Sequence, residues 1–270
     1  MVRDITLGQF LPGHSFIHKM DARAKILLLM AIVVFIFVAG NYVSLLMMTI
    51  VSLLIVLMTR IKFRMYLKSM KVILFVIIFT GLINVFYGSG EVLWEWQFIR
   101  ITWGGIHNAI FVIIRIITLV MVSSVLTFTT SPSDLTDAIE RLLKPLKIFH
   151  VKVHEIAMMM TIALRFIPVL LEETDKIMNA QKARGADMES GGIIRRVKAL
   201  MPVLIPLFVS SFRRANDLAM AMECRCYNGG NGRTRMKVLH FSWRDLAAAI
   251  FLLLTFAGVI VCNIFVPAVM

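Results

Sequence analysis

Five apolar runs, at residues 26–39, 42–58, 72–87, 106–128 and 246–266, constrain this chain more than any other feature. Each is bounded by charge or glycine, and the longer ones reach the roughly 20 residues that carry a helix across a hydrocarbon layer. Lipid offers backbone N–H and C=O groups no partners, so such runs must be helical. With 59% hydrophobic residues, the chain also holds too much apolar surface for one soluble core. The first two runs are short and parted only by Gly40 and Asn41, which predicts a tight helical hairpin or two tilted helices. Residues 1–25 are mostly polar and no small-residue cleavage site follows the first run, so it is expected to remain as a span.

Basic loops stay on the cytoplasmic side, and the asymmetry here is strong. Arg3, Lys19, Arg23 and Lys25 precede the first run, and Arg60, Lys62, Arg64, Lys68 and Lys71 lie between the second and third. The segment 88–105 holds only Arg100 against Glu91 and Glu95, with Trp94, Trp96 and Trp103 as interfacial anchors, and is expected outside. Residues 129–245 then fall inside and carry 18 of the 29 Lys and Arg. The amino terminus is expected in the cytoplasm and the carboxyl terminus outside. A net charge of +13 follows from this topology and from anionic lipid headgroups, without nucleic acid.

Two stretches of the insert, 156–171 and 199–212, are nearly apolar enough to cross. The first carries Arg165 and Pro168, and the second Pro202 and Pro206. A crossing hairpin would export Lys176, Lys182, Arg184, Arg195, Arg196 and Lys198, against the rule that orients the rest. Both are therefore expected as long helices along the inner face of the membrane. A short amphipathic helix opens at Ser131, Pro132, Ser133 and Asp134, with Asp137 and Glu140 in its early turns, and is expected to end at Pro145. The long helices are predicted at about residues 153–184 and 192–226, with the prolines bending them.

Each long helix ends in an arginine. In "NAQKARGADMESGG", Arg184 sits beside the carbonyls that carry the negative end of the helix dipole, and Gly185 suits the left-handed residue that terminates a helix. A single example would be an ordinary helix end. "AMECRCYNGGNGRTR" nearly repeats it, with Arg225 in the same place, so the two helices read as two prongs. A planar guanidinium pairs bidentately with a carboxylate in a partner's groove.

These motifs resemble the transmembrane T component (EcfT, related to CbiQ) of energy-coupling factor transporters, ABC-type importers of vitamins and transition metals. "LPGHSFIHKMDARAKIL" is similar to the family's amino-terminal signature; "ALRFIPVLLEETDKIMNAQKARGAD" resembles its first coupling motif and "RRANDLAMAMECRCYNGGNGRTR" its second. The resemblance spans nearly the whole chain. It implies two cytoplasmic helices crossed as an X, whose Ala-Arg-Gly ends dock into grooves on two ABC ATPase subunits, and a separate small membrane S component that binds substrate. Ala183, Arg184 and Gly185 match the first docking motif residue for residue. At the second, Arg225 matches, whereas Cys224 replaces Ala and Cys226 replaces Gly. Cysteine pays a steric penalty at positive φ, so the chain is expected to reverse later, at Asn228, Gly229 or Gly230.

No G-x-x-x-x-G-K-[ST] occurs, so ATP hydrolysis is assigned to partners; "GGNGRT" lacks the lysine and a preceding strand and reads as a turn. His14 and His18, and His150 and His154, have metal-ligand spacing without supporting ligands, and are read as structural and interfacial. Cys224, Cys226 and Cys262 are read as inert thiols. Met158, Met159, Met160, Met178, Met220 and Met222 suit packing against partners that shift. Arg115, inside the fourth run, is expected to face protein or water, in either a functional or a paired structural role.

The expectation is an all-α bacterial cell-membrane protein with four spans in 1–128, a cytoplasmic coupling domain of about three helices in 129–244, and a fifth span in 245–270. It is a non-catalytic coupling subunit with no cofactor, metal or catalytic residues. The rival classes are a metal channel lined by Met and His and an intramembrane hydrolase using His and Glu; the hydrolase needs polar clusters inside spans, which are nearly bare of them.

Overall fold

The computed structural model describes residues 10–86, 92–96, 99–186, 192–229 and 240–266. The side chains of Glu91, Trp94, Trp96, Arg195 and Arg196, and residues Gly230, Arg233 and Arg235, lie outside what is described. The elements run α1 (Ala22–Val38), α2 (Tyr42–Met58), α3 (Phe63–Phe86), β1 (Val92–Trp96), β2 (Ile99–Thr102), α4 (Trp103–Thr129), α5 (Pro132–Leu142), a 3-10 turn (Lys144–Phe149), α6 (Val153–Ala183), α7 (Ile193–Cys224) and α8 (Trp243–Phe265). They form two compact units. One holds Thr136–Lys237, and the other Gly8–Leu135 together with Val238–Met270.

The second unit contains the apolar runs. Helix α2 coincides with its run, and the predicted hairpin between α1 and α2 is present, with Asn41 capping α2 by accepting from the Ser44 amide while the Ser44 hydroxyl accepts from the Asn41 amide. Helix α3 starts nine residues before its apolar run, because Arg64, Lys68 and Lys71 are good helix formers that end the lipid-compatible stretch without ending the helix. The segment expected as an outer loop includes the antiparallel pair β1–β2, with Val92 opposite Thr102 and Trp96 opposite Ile99. Thr102 then caps α4, its Oγ1 accepting from the Gly105 amide at 3.1 Å.

Among the described residues, four helices are long and apolar enough to cross a membrane: α3, α4, α6 and α8. Helix α2 is apolar and shorter. At 17 residues, α1 and α2 each span about 25 Å, below a typical hydrocarbon thickness. Helix α6, expected to lie along the inner face, meets the length and composition of a span.

The unit's core joins α1, α2, α4 and α8 through Ile32, Phe35, Ile36, Leu45, Met48, Phe111, Val122, Leu252 and Val259. Helices cannot drive one another together by apolar burial in lipid, so close backbone approach matters more. A Cβ on Gly105 would lie 2.6 Å from the Val85 carbonyl oxygen, and this glycine lets α4 start against the end of α3.

Residues 10–20 fold onto the end of α4. The Leu11 amide donates to the Phe128 carbonyl at 3.0 Å, and Leu11's own carbonyl accepts from His18 Nε2 at 3.0 Å. With Nε2 protonated, His18 Nδ1 accepts the Ser15 hydroxyl at 2.6 Å. Gly13 leaves room for this ring, since a Cβ there would meet His18 Cε1 at 2.8 Å.

In the first unit, α5 ends at Leu142, before Pro145. The helix thus stops just short of Pro145, as expected, and the proline falls within the following 3-10 turn, where its fixed φ is accommodated. His154 Nδ1 lies 3.1 Å from Glu140 Oε1, tying the start of α6 to α5 beside the buried Ala138, Val153 and Ala157.

Burial lowers the His18 pKa from its ordinary 6.5; the Leu11 bond opposes this, and Lys25 and His14 add to it. The folded loop thus binds a proton less readily than the unfolded chain, so this contribution to stability is fully present above pH 6.5 and lost as pH falls through the lowered value. Exchange at the Leu11 amide, corrected for its intrinsic rate, is expected to accelerate on acidification, and His18→Gln to remove that step.

Candidate functional site

Helices α6 and α7 pack antiparallel, and polar groups set their register. Glu173 on α6 accepts the Ser210 hydroxyl at 2.5 Å through Oε1, and Nε and Nη2 of Arg214 at 3.1 and 2.8 Å through Oε2. Nearer the end of α6, Gln181 Nε2 donates to the Pro202 carbonyl at 3.2 Å. That carbonyl would ordinarily accept from the amide four residues on, but position 206 is proline and has none. Gln181 supplies the missing donor from the neighbouring helix.

The helix ends match in detail. Arg184 is the C-cap of α6 at φ −83, ψ 5, and Arg225 is the C-cap of α7 at φ −92, ψ 14. After Arg184, the Gly185 amide donates to the Lys182 carbonyl and the Ala186 amide to the Gln181 carbonyl, both at 3.0 Å. After Arg225, the Cys226 amide donates to the Glu223 carbonyl at 2.8 Å and the Tyr227 amide to the Met222 carbonyl at 3.0 Å. Both are Schellman motifs, with the residue after the arginine left-handed: Gly185 at φ 85 and Cys226 at φ 56. This corrects the expectation of a delayed reversal. Cysteine accepts the strained φ because two orphan carbonyls gain partners there, and Gly229, at φ 74, makes a second left-handed step.

Ala183, Arg184, Gly185, Cys224, Arg225 and Cys226 are all exposed. Among the described residues, neither Arg184 nor Arg225 forms an ion pair within the chain. Antiparallel packing sends the two tips to opposite ends of the helix pair, up to about 40 Å apart at 1.5 Å of rise per residue.

Other residues singled out by sequence lie elsewhere. Arg115 Nη2 donates to the Ala39 carbonyl, at the C-cap of α1, at 2.6 Å, and its guanidinium lies 4.6 Å from the Phe111 ring centroid. This is the paired structural role among those the sequence left open. Nothing in the sequence marks Gln181, Glu173, Ser210 and Arg214 as partners. Pro206, four residues after Pro202, signals a freed carbonyl, but which side chain fills it depends on how α6 and α7 align.

The two caps should respond oppositely to substitution. A Cβ at Gly185 would have nothing within 4 Å, so Gly185→Ala costs only the left-handed strain, about 1 kcal/mol, whereas Cys226→Gly gains a similar amount. Amide exchange at Ala186 is expected to speed up about fivefold and at Tyr227 to slow about as much. Unchanged rates in both variants would contradict the cap geometry.

The family model described as "Cobalt transport protein" (CbiQ) matches residues 13–238. An "Energy-coupling factor transporter transmembrane protein EcfT" of Ruminiclostridium cellulolyticum is 54% identical over 246 residues, covering 91% of this chain and 92% of the relative. Proteins with the same description from Clostridium kluyveri and Acidaminococcus fermentans are each 48% identical, covering 93% of both chains and 95% and 97% respectively. With the family model matching residues 13–238 and these relatives covering more than nine-tenths of the chain, the chain belongs to the CbiQ family, among the multi-pass membrane proteins of energy-coupling factor transporters.

Proposed function

We propose that this chain is the transmembrane coupling subunit of an energy-coupling factor importer, passing ATP-driven motion from two ABC ATPase subunits to a small membrane protein that holds a vitamin or transition metal. The observation that carries the docking role is the pair of matched caps, each presenting an exposed arginine without an ion pair among the described residues. A guanidinium fixed at a helix end loses little side-chain freedom on meeting a carboxylate, and opposite ends of one helix pair suit two separate partners.

In this reading α1, α2, α3, α4 and α8 cross the membrane, the amino terminus is cytoplasmic and the carboxyl terminus external. Helices α6 and α7 lie beneath the bilayer as a crossed pair. Their apolar exposure supports this. On α7, Val197, Met201, Leu204, Ile205, Phe208 and Phe212 are at least half exposed and recur at helical spacing, so one face is available to lipid or to the substrate-binding partner. Pro168, Pro202 and Pro206 bend the levers, and the Glu173–Arg214 and Gln181–Pro202 links keep them in register.

Co-purification with the ATPase subunits tests the docking role. Arg184→Glu and Arg225→Glu are each expected to weaken the complex at least about tenfold, or 1.4 kcal/mol, and together to abolish it. Retention of complex and transport in both variants would end the proposal, as would labelling that finds either tip outside the cell.

A further inference from the structure

The helical insert leaves the larger unit at 135/136 and returns to it at 237/238. The first turn of α1 holds both approaches. On the outgoing side, Lys25 Nζ donates to the Thr129 carbonyl at 3.0 Å and to Thr130 Oγ1 at 3.4 Å, the last residue of α4 and its cap. The next residue, Ser131, caps α5 by accepting from the Asp134 amide at 3.1 Å. On the returning side, Asp245 Oδ2 accepts from the Ser242 amide at 2.7 Å, opening α8, while Oδ1 accepts from the Asp21 amide at 3.0 Å. Asp21 itself caps α1 and pairs with Arg23 at 2.6 Å.

These groups are nearly inaccessible: Asp21, Lys25 and Asp245 are 6%, 8% and 5% exposed. Burying charge is expensive, and ending α4 or starting α8 requires no ion. A neutral side chain or water could satisfy the Thr129 carbonyl. What the charged groups add is connection, because one helical turn donates to the last carbonyl of α4, ahead of the insert, and to the first carboxylate after it. Lys25 reaches the end of α4 from one side of this turn while the Asp21 amide meets Asp245 from the other, so both contacts are made by a single turn of α1.

We infer that the Asp21–Lys25 turn and Asp245 form a clasp that makes α4 and α8 move with α1 when the helical insert is displaced, with Lys25 and Asp245 as positioning residues for energy coupling. This rests on the coupling-subunit reading. Without the clasp, displacement of the insert would be absorbed by fraying of the last turn of α4 and the first turn of α8. With it, the motion reaches Ile32, Phe35 and Ile36, which lie on α1 in the unit's core.

The test uses the full chain complexed with its ATPase subunits in nanodiscs, measuring ATP hydrolysis and the change in amide exchange on adding ATP with vanadate. The wild type is expected to respond in α6, α7 and α1. Lys25→Met and Asp245→Asn are expected to keep hydrolysis and the α6–α7 response within about twofold while losing about tenfold of the α1 response, and Lys25→Arg to restore it. If the wild-type chain forms no complex with the ATPases, the coupling reading itself fails. If the complex forms, the clasp is overturned by an unchanged α1 response in the variants, by parallel loss of the α6–α7 response, or by a wild-type α1 that never responds. Failure of all three variants to assemble also overturns it, since the group would then hold the fold and nothing more.

Discussion

A helix leaves its first amides and last carbonyls without internal partners, and an apolar surrounding offers no water to satisfy them. Much of the tertiary structure of the larger unit can be traced to how those ends find partners on other helices. At the end of α1, the Val38 carbonyl accepts from Asn263 Nδ2 at 2.8 Å and the Ala39 carbonyl from Arg115 at 2.6 Å. At the end of α8, the Cys262 and Val266 carbonyls accept from Asn41 Nδ2 at 3.1 and 2.9 Å. Asn263 of α8 thus caps α1, Asn41 at the start of α2 caps α8, and an arginine that looks out of place in an apolar helix is a cap for a neighbour. Each such bond fixes which helices adjoin, because a lone polar group there is costly.

The same constraint shapes the helical insert by different means. Its ends are closed locally, by Schellman motifs that leave the arginine side chains outside the cap's own hydrogen bonds. A cap that satisfied its carbonyls with the arginine would leave nothing to offer a partner. Within the pair, proline frees a carbonyl and the neighbouring helix answers it through Gln181, so an interhelical link comes from one residue choice.

Energy coupling of the kind proposed requires an element with two arrangements that its partners favour unequally. The apolar core around Ile36, Met48 and Phe111 is close-packed, and its interdigitated side chains resist continuous deformation. In the clasp proposal, the charged turn of α1 is the place where displacement of the insert is passed to this core.

Periodicity and charge alone determined the helices, most of their bounds and the arginine-ended pair, because the length of an apolar run and the placement of Lys and Arg are local properties. The family was legible too, since its motifs are contiguous strings. Sequence missed the ribbon at 92–102, where alternation is too short to stand out, and misjudged Cys226, where a general steric penalty lost to two specific hydrogen bonds. It could not pair Asn41 with the end of α8, Lys25 with Thr129, Asp245 with Asp21, or Gln181 with Pro202. Those partners are between 21 and 225 residues apart, and which polar side chain meets which orphan carbonyl or amide is decided only when the helices pack.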